Sequence, residues 1–453
     1  MFAMRYLGRF LSEDDGCDVE DLCLDLIDGD WPGIVFEVIL AIYSFVGIAV
    51  VADEHLATSL ETLCRRLKLS EDVAGASFLA LGSAAPEIII AFVSTVKMIL
   101  AGNETAEDRQ ASAFATSLAV SSILGSGMMA FTLIPGLCAM SVSRPMLLKR
   151  RPLARDAIVY AGSLALLYFV VLKGEAQFAD ASLMLILYAI YLTLTALAPA
   201  ARECYRTRCL GKEASSTAME RGAAAELVEA LAAEEAAKAA ADDDDDDDDD
   251  GPTPWYGLPF VPIGAILRRT CPDVSEGSET EHLYPVTMVV AFSWLALFST
   301  CLSAAITRWG TLLNLPGTAM GMFIVAVGAQ IPDTVQAIAV AKRGMGSAAV
   351  ASAVGSQVMN ILIGLGMPWT MSTAAGIPID IPHKPQLVMM TWLMVACVLV
   401  YLGVLLAPTV PTWGRFGRAT LAPAQGWVLF GTYAAVAAIY LFWAFVIEQG
   451  EAD

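Results

Sequence analysis

The chain has 453 residues, of which 57% are apolar and only 16% are charged, and its mean hydropathy is +0.61. A soluble domain carries roughly 25% charged residues, so this composition excludes water as the solvent for most of the chain. The formal net charge of −20 excludes nucleic acid as a partner, and nine of those charges sit in one run, Asp242–Asp250, leaving −11 spread over loops.

The first 33 residues form an acidic tail. Its start, MFAMRYLGRFLS, lacks the long apolar stretch of a signal peptide. It contains Cys17 and Cys23, which are expected to pair as a disulfide if the tail lies outside the cytoplasm. The nine cysteines include no Cys-x-x-Cys pair, and Cys138, Cys301 and Cys397 fall inside apolar blocks, where packing is the expected role.

Ten apolar blocks follow, each long enough to cross a bilayer. They cover about 34–53, 73–97, 113–140, 157–172, 181–199, 285–306, 316–341, 347–371, 386–407 and 425–447. Positive charge alternates between the loops. Arg65, Arg66 and Lys68 follow the first block. Lys149, Arg150 and Arg151 follow the third, and Arg202, Arg206 and Arg208 the fifth. Lys342 and Arg343 follow the seventh, and Arg415 and Arg418 the ninth. Positive loops stay cytoplasmic, which puts both termini outside. Asn103 heads a glycosylation sequon, Asn-Glu-Thr, on an expected outer loop.

Five blocks precede the long central loop, 200–284, and five follow it. An odd count inserts the second half upside down, a common plan for transporters. The expected fold is therefore an all-α membrane protein of about ten spans in two inverted five-helix halves, 34–199 and 285–447. The loop is expected to be cytoplasmic, helical over Glu213–Ala241 and disordered over the aspartate run and the Gly/Pro-rich segment after it. That run reads as a solvated spacer. Deleting Asp242–Asp250 should leave basal transport intact in a flux assay.

The two halves share a motif. Residues 77–92 read SFLALGSAAPEIIIAF and residues 322–338 read MFIVAVGAQIPDTVQAI. Each holds Gly-x-x-x-Pro and then an acid: Gly82, Pro86, Glu87 and Gly328, Pro332, Asp333. Further on, AVSSILGS (119–126) answers AVASAVGS (349–356), and the first copy has sixteen more residues between its two parts. Proline lacks an N–H and clashes with the carbonyl four residues back. Pro86 thereby frees the carbonyl of Gly82, and Pro332 that of Gly328. A freed carbonyl at bilayer depth needs a partner, and the next residue in each copy is a carboxylate. An acid at mid-membrane costs roughly 2.5–3.5 kcal/mol on insertion scales. A cation shared between the two acids compensates both. Carbonyl, carboxylate and hydroxyl oxygens suit calcium, sodium or potassium. Packing alone explains most of the small residues but not an acid beside a kink in both halves.

These stretches resemble the α-repeats of the calcium/cation antiporter superfamily. Residues 50–87, VVADEHLATSLETLCRRLKLSEDVAGASFLALGSAAPE, are most similar to the potassium-dependent sodium/calcium exchangers, as are GAQIPDTVQAIAVAKRGMG and AVASAVGSQVMNILIGLGMPW in the second half. The resemblance implies alternating access, with sodium entry driving calcium out through one central site. Glu87 and Asp333 would be the shared ligands. Ser83, Ser126 and Ser356 would add hydroxyl oxygens. Five positions depart from the family pattern: Ala84 and Ala130 replace ligands in the first repeat, Ala329 and Gln330 replace a pair of hydroxyls, and Asn360 stands where potassium-dependent members have Asp. An amide keeps an oxygen ligand and loses a charge, so potassium coupling and sodium stoichiometry stay open.

Sodium-driven calcium exchange is the leading expectation, and proton-driven exchange of calcium or another divalent cation is the alternative. An intramembrane enzyme is a remote third, since no nucleophile or histidine cluster accompanies the acids. No cofactor is expected. The expected partners are the lipid bilayer and the transported ions; protein partners are not legible. The membrane is the plasma membrane or an internal calcium-storing one.

Overall fold

The computed structural model describes residues 31–67, 80–101, 106–142, 145–209, 261–274, 278, 280–312, 317–342, 344, 346–377, 379–382, 384–406 and 418–451. Cys17, Cys23, Asn103, the stretch from Glu213 to Ala241 and the aspartate run lie outside them, and so does the side chain of Ser83.

In the first half, α1 runs from Trp31 to Arg66 with a π turn at Val51–Leu56. Next come α2 (Ala80–Ala101) and then α3, which runs Ala106–Met128, passes a π turn at Met129–Leu133 and ends as Ile134–Ser141. The half closes with α4 (Arg150–Lys173) and α5 (Phe178–Cys209). A short helix, α6 (Val261–Thr270), precedes the second half. There α7 spans Tyr284–Leu312, and α8 joins Gly317–Met320 through a π turn at Gly321–Val325 to Ala326–Lys342. The third rod is broken into α9 (Gly346–Leu362) and α10 (Gly366–Ala374), followed by α11 (Lys384–Leu406) and α12 (Pro423–Glu451).

Among the described residues nine rods are long and apolar enough to cross a bilayer. The tenth is α2, with 22 residues and an apolar stretch Ala84–Val93, about 33 Å long at 1.5 Å per residue. Ile158, Phe169, Val289, Trp392, Leu399 and Phe442 point outward from α4, α7, α11 and α12. An apolar outer surface of this kind is what a lipid solvent requires.

Two short antiparallel ribbons tie the halves together. Strand β1 (Met146–Lys149), between α3 and α4, pairs with β4 (Arg418–Leu421), between α11 and α12. Strand β2 (Glu175–Ala176), between α4 and α5, pairs with β3 (Ile379–Asp380), between α10 and α11. The 24-residue helix α4 separates β1 from β2, so the ribbons lie at opposite ends of the bundle. The third-to-fourth connection of each half thus meets the fourth-to-fifth connection of the other. Halves inserted the same way up would put those connections on opposite sides. The pairing requires inverted halves. Gly174 (φ 77°) and Gly376 (φ 83°) turn the chain into β2 and β3, a backbone conformation that glycine adopts without strain.

The interior divides into two packed units. One joins α1, α6 and α7, with Leu56, Leu60, Ile263, Leu267, Leu295 and Leu302 in contact. The other gathers α3–α5 with α9–α12 around Phe131, Tyr160, Leu164, Val354, Met394 and Tyr401. Helices α2 and α8 contribute residues to both. Gly47 lets α1 close on α7, since a Cβ there would lie 2.7 Å from the Phe298 ring.

Two features depart most from the sequence expectation. The polar run Asp53-Glu54-His55 suggests an end to the first span at residue 53, yet α1 continues to Arg66. Burial of Leu56, Leu60 and Thr62 repays the polar interruption. Helix α6 overturns the expectation of disorder in the Gly/Pro-rich segment after the aspartate run. Ile263 and Leu267, one turn apart, are buried, and Trp294 Nε1 donates to Thr270 Oγ1 at 3.0 Å. Just past α6, Thr62 Oγ1 donates to the Val274 carbonyl at 3.1 Å and Thr287 Oγ1 to that of Pro272 at 3.0 Å.

Helices α1 and α7 also run antiparallel between ion pairs. Glu37 Oε1 meets Arg308 Nε at 2.6 Å near one end, and Arg66 meets Glu281 at 3.5 Å near the other. The Glu37 and Arg308 side chains are only 11% and 14% exposed. Removing one member of a buried pair costs about 3 kcal/mol or more. Arg308→Met should therefore lower the melting temperature of the detergent-solubilised protein, and adding Glu37→Leu should restore part of the loss.

Candidate cation site

Both proline motifs lie inside α2 and α8. The missing N–H leaves the Gly82 and Gly328 carbonyls without their usual helical partners. Both motifs open onto one cleft, lined by Gly82 and Pro86 from the first half and by Gly328, Ala329, Pro332 and Asp333 from the second. Phe45, Ile48, Ala49 and Ala52 of α1 form a wall, with Leu302 of α7. A Cβ at Gly328 would fall on the Phe45 ring, so glycine there allows α8 to reach α1.

The two acids stand in unequal settings. Asp333 is partly exposed on the cleft, whereas Glu87 is 2% exposed. Gln330 Nε2 donates to Glu87 Oε1 at 3.0 Å, a bond between halves. Gln330 lies three residues before Asp333 and so shares its face of α8. The contact brings Glu87 within one turn of the second acid's place on that helix.

The Gly-Ser pairs supply the rest. Ser126 sits beside the Glu87 carboxylate. Its hydroxyl is shared between the Ile123 carbonyl at 3.1 Å and Gln357 Oε1 at 3.2 Å. Gln357 Nε2 donates to Ser356 Oγ at 3.4 Å, and Asn360 Nδ2 donates to Gln357 Oε1 at 3.3 Å. Ser356 donates to the Ala353 carbonyl at 3.2 Å. A polar chain thus runs from Gln330 through Glu87, Ser126 and Gln357 to Ser356 and Asn360, crossing four helices. Three buried oxygens in it lack a donor: Glu87 Oε2, Gln330 Oε1 and Asn360 Oδ1.

Gln357, the hub of this chain, is not among the residues singled out from the sequence. The available signal was an amide inside an apolar stretch, three residues before Asn360. The α1 wall was likewise missed, because its small and apolar residues look like ordinary packing. Ala84 and Ala130 are fully buried in the main core.

A family model described as sodium/calcium exchanger protein matches residues 36–197 and 283–442, one stretch in each half. The human sodium/potassium/calcium exchanger 5 is 26% identical over 374 residues, covering 76% of this chain and 71% of that protein. The human sodium/potassium/calcium exchanger 3 is 25% identical over 475 residues, with 76% and 71% covered. Among solved structures, an H+/Ca2+ exchanger, CAX, superposes with a TM-score of 0.55 at 13% identity, over 92% of this chain and 88% of that one, a likeness of fold. With nine spanning rods among the described residues, two inverted halves and a family match in each, this multi-pass integral membrane protein belongs to the sodium/calcium exchanger protein family of cation antiporters.

Proposed function

We propose that the protein exchanges sodium for calcium by alternating access at a site built from Glu87, Asp333, Gln330 and Asn360, with Ser83, Ser126 and Ser356 and the freed carbonyls of Gly82 and Gly328. The reading is carried by the three donorless buried oxygens on Glu87, Gln330 and Asn360. Buried acceptors without donors are costly, and hard oxygens from both halves are the complement of a hard cation. The relatives' names, with sodium, potassium and calcium in them, support the choice of ions. Asn360 offers an oxygen without a charge, so we take the exchange to be independent of potassium. The protein acts as a carrier and not as an enzyme. Its N-terminal tail lies outside the cytoplasm, and loop 200–284 lies within it.

In reconstituted vesicles, an outward sodium gradient should drive calcium uptake, and replacing potassium should leave the rate unchanged. A pH gradient alone should drive none. Uptake under the pH gradient without sodium would give the driving role to protons, carried by the two acids.

A further inference from the structure

We propose that Gln330 is a selectivity residue: its amide holds one oxygen of Glu87 and so lowers the number of monovalent cations bound per calcium. This rests on the cation-site reading above. Gln330 and Glu87 are 1% and 2% exposed and come from opposite halves of the chain, 243 residues apart. The Nε2–Oε1 distance of 3.0 Å is that of a made hydrogen bond. A bond to an ionised acceptor is among the stronger kinds. It gives Oε1 part of the compensation that a cation would give, and it cannot diffuse away.

A cation that takes Oε1 must displace the amide and strand its N–H groups in a buried setting. The displacement cost is the same for any ion, but the Coulomb gain is not. A divalent ion gains twice as much at each oxygen as a monovalent one. The same cost exceeds the smaller gain of sodium before that of calcium, so the amide keeps a sodium off Oε1 where calcium can still displace it. Gln330 Oε1, which has no donor, offers a divalent ion twice the gain it offers a monovalent one, so replacing Gln330 frees Glu87 Oε1 for both ions but takes more back from calcium. Gln357 does not offset the effect, because its amide oxygen already accepts bonds from Ser126 and Asn360.

The test is equilibrium binding of radioactive sodium and calcium to the purified full-length protein. Wild type, Gln330→Met, Gln330→Ala and Glu87→Gln are compared. Methionine conserves most of the volume and removes the donor. Both Gln330 variants should bind sodium about tenfold more tightly than wild type, on the scale of one bond to a charged group, with a steeper sodium isotherm and a smaller change for calcium. Two results overturn the inference alone: sodium isotherms of both variants that superimpose on wild type while Glu87→Gln still loses calcium, or equal weakening of both ions, which marks a merely structural residue. Absence of calcium binding in wild type overturns the site reading together with it.

Discussion

Glu87→Gln and Asp333→Asn should each abolish sodium-dependent calcium flux without lowering the melting temperature. The substitutions keep shape and one oxygen but remove a charge. Losing one charged partner from a buried contact costs roughly 2–5 kcal/mol, so affinity for calcium should fall at least about thirtyfold. Stability responds in the other direction. A buried carboxylate at bilayer depth is expensive, and glutamine in place of Glu87 can still accept the Gln330 bond. Loss of flux with an unchanged or higher melting temperature therefore separates a ligand from a packing residue. A variant that is inactive because it melts early would point to packing instead.

The second large effect is expected at Gly321. This residue opens the π turn of α8 and lies against α3, where an added Cβ would overlap Ser121 Oγ and crowd the Leu118 carbonyl at 2.6 Å. Both obstacles belong to a buried helix: the backbone cannot retreat, and Ser121 already donates to the Leu118 carbonyl at 3.1 Å. Gly125 makes the reciprocal approach: a Cβ added there would lie 2.8 Å from the Ala326 Cβ. Small residues are what let membrane helices meet this closely. Overpacking such a contact costs about 3 kcal/mol, so Gly321→Val should reduce the yield of folded protein and its melting temperature sharply. Gly403→Ala is the control, because nothing lies within 4 Å of a Cβ there. Equal melting temperatures for the two variants would remove the close α3–α8 contact from the account.

That contact is not repeated in the other half, where a Cβ at Gly355, the counterpart of Gly125, meets nothing within 4 Å. Glu87 is buried while Asp333 borders the cleft. Inverted repeats of one carrier adopt different conformations at any moment, since a site open to both faces would leak. Unequal settings of the two acids fit that requirement.

Much of this was legible in the chain. The ten blocks, their inversion and the paired motifs follow from hydropathy, charge alternation and repetition, each of which the bilayer imposes directly. The motif residues Gly82, Pro86, Gly328, Pro332 and Asp333 do share one cleft. The ribbons were not legible, because β2 and β3 are two residues each and their pairing depends on contacts some two hundred residues apart. Helix α6 was hidden because it has only ten residues and begins in a Gly/Pro-rich stretch, and the surface it packs on is supplied by α1 and α7. The reach of Gln330 to Glu87 and the hub at Gln357 depend on how side chains cross between helices, which spacing along one helix does not encode.

The central claim is one site made by both halves. It is tested most directly by the number of calcium ions bound per chain at equilibrium, measured on purified wild type, Glu87→Gln and Asp333→Asn with sodium absent. Wild type should bind one calcium, and neither variant should bind any over the same concentration range. If either variant retained a calcium ion at wild-type affinity, the two acids would not share a site and the account would be contradicted.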